Sequence, residues 1–226
     1  MARAFVRASS QYLQHGAAAV SAYPLTLVAW FNSDDVTADQ AILSVAHHEV
    51  TSPQGRWAIL QVRGTTAGDP VSAATFDGTT FAQALTTSGY SADTWHHGCA
   101  VFASETSRTA YIDGGNSASE TTSVPFPSVT RTVIGRRLQD PEADFYFSGK
   151  IAEAAIWSVA LDAGEIAALA KGFCPLLIRP TSLVAYWDIP GNSSPELDRW
   201  KSRFDMTVTG ATKADHIRIY YPHQVP

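Results

Sequence analysis

Two adjacent histidine pairs, His47-His48 and His96-His97, are the first residues here whose type and spacing suggest chemistry. A metal would need both imidazoles of a pair to converge on it. Both pairs sit in strand-like runs, "AILSVAHHEV" and "TWHHGCAVFAS", and neighbours along a strand point to opposite faces. Neither pair is therefore placed to chelate one ion. In the second pair one ring is expected to face the core and the other outward, as structural histidines.

Carboxylates are the next candidates. A retaining glycosidase on a β-sandwich needs two of them close together across a cleft. The strand-like run from Lys150 to Ser158 carries only Glu153. The nearest acids, Asp140, Glu142 and Asp144, share the loop "LQDPEADFY". Their clustered oxygens would suit a structural calcium ion, or they form a solvated acidic loop, which is the preferred reading. Asp77 in "ATFDGTTF" and Asp113 in "YIDGGNSAS" are read as turn residues before glycine rather than calcium ligands. Cys99 in "HGCAVFA" and Cys174 in "GFCPLL" are read as two buried free thiols. The sequence has no nucleophile elbow, paired-histidine zinc helix or phosphate loop. No catalytic, metal or ligand-binding residue is assigned from it, and the chain is expected not to be an enzyme.

The elements that must position these residues are mostly strands. "PLTLVAWFN" (24–32) places Leu25, Leu27, Ala29 and Phe31 on one face and Val28 and Trp30 on the other, the pattern of a strand inside a layered core. "AILSVAH", "WAILQVR", "VSAATFD", "TWHHGCAVFAS", "SRTAYIDG" and "SVTRTVIGRR" follow, separated by polar turns. That rhythm predicts an all-β sandwich or barrel. One helix is predicted near 162–171, about three turns long. Asp162 caps it, Glu165 completes a capping box, Leu161 staples onto Ile166, and Gly172 and Pro175 stop it. Ile166, Leu169 and Phe173 would dock one apolar stripe on the sandwich. "LVAYW" (183–187) reads as a final strand, and the last segment as one short strand and an apolar tail with Ile217, Ile219, Tyr220 and Tyr221. This divides the chain into a sandwich over 1–188 and a closing segment over 189–226, packing on the same domain or on a neighbour.

The 226 residues suffice for a substantial core, with 45% hydrophobic and 16% charged. A formal net charge of -5 without a basic run argues against nucleic acid as a partner. No apolar stretch reaches membrane-spanning length. The opening "MARAFVRASSQYL" lacks the apolar core of a signal peptide, so folding in a reducing cytoplasm is expected.

"TWHHGCAVFASETSRTAYIDGG" followed by "FSGKIAEAAIWSVALDAGEIAALAKG" resembles the laminin-G-like, concanavalin A-like jelly-roll family. That family shows a W-H-H strand opening, a Y-x-D-G hairpin, F-x-G-x-I-x-E-x-x-I-W and A-L-x-x-x-E-I, in this order. The opening "ARAFVRASSQYLQHGAAAVSAYPLTLVAWF" resembles the family's first strands. The resemblance implies a two-sheet antiparallel jelly-roll β-sandwich. The ending, from "PLLIRPTSLVAYWDIP" to "HIRIYYP", resembles a subgroup of tailed-bacteriophage proteins. Ala152 departs from the acid common before the family's Glu, and no calcium or sugar ligand is carried over. The subgroup implies a structural or interaction protein of the virion, made in the bacterial cytoplasm. Capsid or tail proteins, or copies of itself, would then be its partners. The alternative is a lectin-like module for surface glycans, and a glycosidase ranks last.

Overall fold

The computed structural model describes residues 1–47, 55–138, 145–216 and 219–220. Among these residues, two antiparallel sheets stack face to face. The first sheet runs in the order β10 (Gly115–Glu120), β9 (Ser107–Ile112), β8 (His96–Ser104), β3 (Leu25–Ser33), β12 (Gly149–Trp157), β1 (Ala2–Phe5), β15 (Thr212–Ala214). β13 (Leu183–Trp187) also pairs with β12, further along the strand than β1 does. The second sheet runs β14 (Thr207–Thr209), β2 (Tyr12–His15), β11 (Arg131–Ile134), β4 (Asp39–His47), β5 (Arg56–Arg63), β6 (Pro70–Phe76), β7 (Phe81–Gly89). This is the jelly-roll sandwich that the strand rhythm and the family resemblance imply.

Alternation along the strands builds the core. Leu25, Leu27, Ala29 and Phe31 of β3 face Val45, Leu60, Val62 and Ala73 of the second sheet in one buried cluster. Val28 points the other way, into a second cluster with Cys99, Trp157, Leu161, Ile166 and Leu169. β3 and β12 are thus buried on both faces, because a helix and the C-terminal segment cover the outside of the first sheet.

β12 shows why its sequence motif has the residues it has. Gly149 has φ +122, and a Cβ there would lie 2.1 Å from Asn32 O, so only glycine fits this close strand pairing. The β12–β3 register shifts between Ala152 and Ala155, and Glu153 sits in that bulge with φ 51.

The helix α1 (Ala163–Ala170) carries the expected capping box: Glu165 N donates to Asp162 Oδ1 at 3.0 Å and Asp162 N to Glu165 Oε2 at 2.8 Å. Arg179 adds ion pairs to both caps, reaching Asp162 Oδ2 at 3.4 Å and Glu165 Oε1. Leu161, Ile166 and Leu169 bury together as predicted. The helix is two turns rather than three, because Asp162 and Lys171 serve as its caps and only 163–170 are helical, with Gly172 (φ 89) redirecting the backbone beyond. That reversal leaves Phe173 off the buried stripe, at 44% exposure. The last segment holds two short strands where one is expected. β14 and β15 follow β13, each three residues long, at the ends of the second and first sheets. Arg3, Glu196, Ser193 O and Ala211 O tie this closing region to β1 through a buried ion pair and two side-chain-to-backbone hydrogen bonds. Ile217 and Tyr221, assigned above to the tail, lie outside the described residues.

Candidate functional site

The His96-His97 pair splits across β8 as the alternation requires. His96 faces inward, its ring 5.8 Å from that of Phe31, and Asp113 at the β9–β10 turn receives its Nδ1 at 2.8 Å. Ser91 N donates to His96 Nε2 at 3.1 Å, so Nε2 is an acceptor and Nδ1 carries the proton toward Asp113. The other Asp113 oxygen accepts from His97 N at 2.8 Å. Burial alone would raise the Asp113 pKa. The hydrogen bonds from His96 and His97 outweigh it and hold the carboxyl below its ordinary value. His97 packs on Trp30 at 5.4 Å on the opposite face, covered rather than solvent-facing; burial pushes its pKa down to about 4, against the pull of Asp113. The W-H-H and Y-x-D-G motifs therefore meet as one structural clamp. Asp77 is engaged in the same spirit, accepting from Thr79 N at 2.8 Å and Thr80 N at 2.7 Å.

Glu153 is buried under the C-terminal segment. Its Oε2 accepts from the Tyr186 hydroxyl, and its Oε1 lies 3.2 Å from His216 Nε2. Ile219 closes over a pocket lined by Val28, Trp30, His97, Glu153 and Leu169. Tyr220 fixes the segment by donating to Gly172 O at 2.7 Å and accepting from Cys174 N at 3.1 Å. The carboxylate is thereby locked inside the packing instead of lining a cleft. Cys99 and Cys174 are both buried and free, with burial raising both thiol pKa values. Asp140, Glu142, Asp144 and His48 lie outside the described residues; among the described residues no group of three or more metal-ligating side chains converges.

The outer face of the second sheet is different. Residues of one parity on β5, Trp57, Ile59, Gln61 and Arg63, point away from the inter-sheet core. Cross-strand register aligns Trp57 with Phe76 of β6, and Phe76 with Phe81 of β7. The Trp57 ring lies 5.8 Å from each of the other two, and Phe81 remains 45% exposed. About 20 Å along β5 from the Trp57 backbone, Arg63 is paired in register with Asp39 of β4 and reaches its Oδ2 at 3.2 Å. Thr65 holds the other Asp39 oxygen through its N–H at 3.2 Å and its hydroxyl at 2.7 Å. The Arg137 guanidinium lies 5.0 Å from the Trp57 ring centre and 3.2 Å from that of Phe145. Burial first, and then the charge of Arg63, push the Arg137 pKa down to about 9, while Asp39 opposes the shift.

These side chains line a depression of about 300 Å³ with an aromatic end and a cationic end. Beneath it three polar atoms are buried without a hydrogen-bond partner: Trp57 Nε1, Gln61 Oε1 and Arg63 Nε. Buried polar atoms are nearly always paired in native proteins, so three on one strand face single this face out for a closer look. The sequence reading assigned none of these residues. The signal it contained was the alternation in "RWAILQVR", which puts Gln61 and Arg63 on the same face as Trp57.

The geometry defines an antiparallel jelly-roll sandwich with a polar-aromatic depression on one sheet face. The chain belongs to the concanavalin A-like lectin/glucanases superfamily, whose family model matches residues 7–167. Comparison with curated proteins gives no match. Among solved structures, a candidate carbohydrate-binding protein of Bacteroides ovatus is similar with a TM-score of 0.66 and 18% identity, over 93% of this chain and 58% of that one. A SAP-like pentraxin of Limulus polyphemus gives 0.57 and 13%, over 75% and 81%. The CBM40 module of the Ruminococcus gnavus IT-sialidase, bound to α2,3 sialyllactose, gives 0.55 and 15%, over 66% and 84%.

Proposed function

We propose that this chain is a non-catalytic carbohydrate-binding module whose ligand occupies the depression between Phe81 and Arg63. The observation that carries the reading is the set of unpartnered polar atoms on β5 beneath an aromatic wall with an exposed ring. Sugars present apolar ring faces to aromatic side chains and hydroxyls to polar ones, and mostly apolar concavities with a few placed polar groups are the usual small-ligand sites. Two features support the absence of catalysis. Among the described lining residues Asp39 is the acid, and both its oxygens are engaged. Glu153, on the family strand, is enclosed by Tyr186 and His216. A pair of carboxylates facing one cleft is what a glycosidase of this architecture would use.

The similar structures described as carbohydrate-binding support this reading over the virion role suggested by the C-terminal resemblance. That role rests on the likeness of the ending, the two free cysteines and the apolar tail, and we place it second. Screening the full chain on a glycan array beside Phe81→Ala tests the proposal. Wild-type signals that weaken in the variant are expected. A wild-type protein silent across the array at high concentration would overturn it.

A further inference from the structure

We propose that β7 is a dimerisation edge: two copies of this chain pair their β7 strands antiparallel about a two-fold axis at Gln83, joining the two second sheets into one. This pairing is independent of the glycan reading above. A sheet end offers a row of unpaired backbone groups, and native proteins guard such rows with short strands, charges, proline or bulges. Among the described residues, β14, β15 and β10 are sheet ends guarded in this way. β14 and β15 are three residues long, Ser194 Oγ accepts from Val208 N of β14 at 3.2 Å, and β15 carries Lys213. β10 has a register irregularity between Gly115 and Ala118 and ends in Glu120. β7, the remaining end, runs nine residues, FAQALTTSG, with no charge and no proline, and its register with β6 is unbroken from Phe81 to Leu85.

The hairpin turn decides which backbone groups of β7 face outward. Asp77 N donates to Thr80 O at 3.4 Å, which makes these two residues a hydrogen-bonded pair. Such pairs alternate with non-bonded ones along an antiparallel ladder. Phe76 is in register with Phe81, Thr75 with Ala82 and Ala74 with Gln83. Ala82 and Ala84 therefore bond to β6, and the N–H and C=O groups of Phe81, Gln83 and Leu85 point to the open side. These three positions complement themselves. With Gln83 opposite Gln83 of a second copy, Phe81 falls opposite Leu85, and each outward group meets a partner. Their side chains share the outer face of the sheet, where Phe81 lies beside Trp57 and Gln83 Oε1 accepts from Ser72 Oγ at 3.4 Å. The exposed Phe81 ring then packs beside Leu85 of the second copy. The chain's net charge of -5 opposes self-association, but none of that charge sits on this strand. A two-fold contact through one shared edge closes at two copies. It sets both depressions on the same side of the joined sheet, with the two Phe81 positions about 14 Å apart along the strands.

Sedimentation equilibrium of the full chain, with amide hydrogen exchange at low and high protein concentration, tests this pairing. The chain is expected to pass from monomer to dimer with a Kd on the order of tens of micromolar, because a single strand pairing falls below the standard interface size. The amides of Ala82 and Ala84 should be protected at every concentration, while those of Phe81, Gln83 and Leu85 slow only as the dimer forms. Gln83→Pro removes the central outward N–H without breaking a bond to β6, and should weaken the dimer by about tenfold or more. Gln83→Lys sets two like charges directly opposite each other and should weaken it as well, with high salt restoring part of the loss. It also covers the case in which Gln83→Pro fails to fold. A wild-type chain that stays monomeric up to about 1 mM would overturn the proposal, as would association that grows past two copies. A dimer unchanged in both variants, or one that slows none of the three outward amides, would overturn the pairing through β7.

Discussion

Replacing Asp113 by alanine should destabilise the fold far more than an exposed turn substitution does. The side chain holds His96 Nδ1–H and His97 N–H, each at 2.8 Å, and both histidines are buried. His96 cannot escape by changing tautomer, because its Nε2 already accepts from Ser91 N. Each buried donor left unsatisfied costs about 1–3 kcal/mol. Alanine at φ 52 adds about 1 kcal/mol of left-handed backbone strain that aspartate tolerates better. The Asp113 side chain is 45% exposed, so entering water recovers part of this, and the expected loss is about 2–3 kcal/mol. With a urea m-value of about 2–3 kcal/mol/M, the unfolding midpoint should fall by about 1 M. Asp113→Asn keeps an acceptor for His97 N and should lose only about half as much. The sign of the pH dependence is fixed by the depressed carboxyl. Its contribution is complete above the ordinary value of 3.8 and fades as pH falls through the lower folded value. The gap between wild type and Asp113→Ala should therefore narrow below pH 3.8. An alanine variant within about 0.5 kcal/mol of wild type at pH 7, or an asparagine variant as damaged as alanine, would refute the clamp.

Glu153→Ala should lower stability by about 2–4 kcal/mol in the same denaturation assay, since it removes the carboxylate that accepts from the buried Tyr186 hydroxyl and meets His216; a neutral effect would show that the C-terminal segment does not depend on this contact. Cys99 and Cys174 should resist a thiol reagent at pH 8 until guanidinium unfolds the chain, because burial raises both pKa values, and labelling within minutes in the native state would contradict that packing. Phe81→Ala should leave the unfolding midpoint nearly unchanged while weakening glycan binding about threefold to tenfold by calorimetry. Equal affinity in that variant would remove the aromatic end from the site.

The parts of the fold that the sequence makes legible are those decided locally. Alternation in Leu25–Phe31 sets the faces of β3, and Asp162 with Glu165 sets the start of α1, because each pattern lies within a few residues. The helix end was harder to read. Phe173 fits the apolar stripe by spacing, but the left-handed Gly172 turns it outward. β14 and β15 are three residues long, and the pairing of β15 is fixed by partners more than two hundred residues away, as in Ala2 with Ala214. The candidate site is legible least of all. It depends on Trp57, Phe76 and Phe81 falling in register across three strands and on Arg137 arriving from a distant loop. No local pattern announces a cross-strand row, and the left-handed bulge at Glu153 has no sequence signature either. The histidine pair and Asp113 looked like separate features, and only the β8–β9–β10 pairing joins them.

The central claim is that a glycan binds on the outer face of the second sheet. The direct measurement is backbone and side-chain NMR of the labelled chain titrated with the tightest glycan from the array. Shifts should concentrate on Trp57, Arg63, Phe76, Phe81 and Arg137, including the Trp57 indole N–H, which lacks a partner in the free protein. Shifts centred instead on Trp30, His97 and Glu153 under the C-terminal segment, or none at saturating glycan, would contradict it.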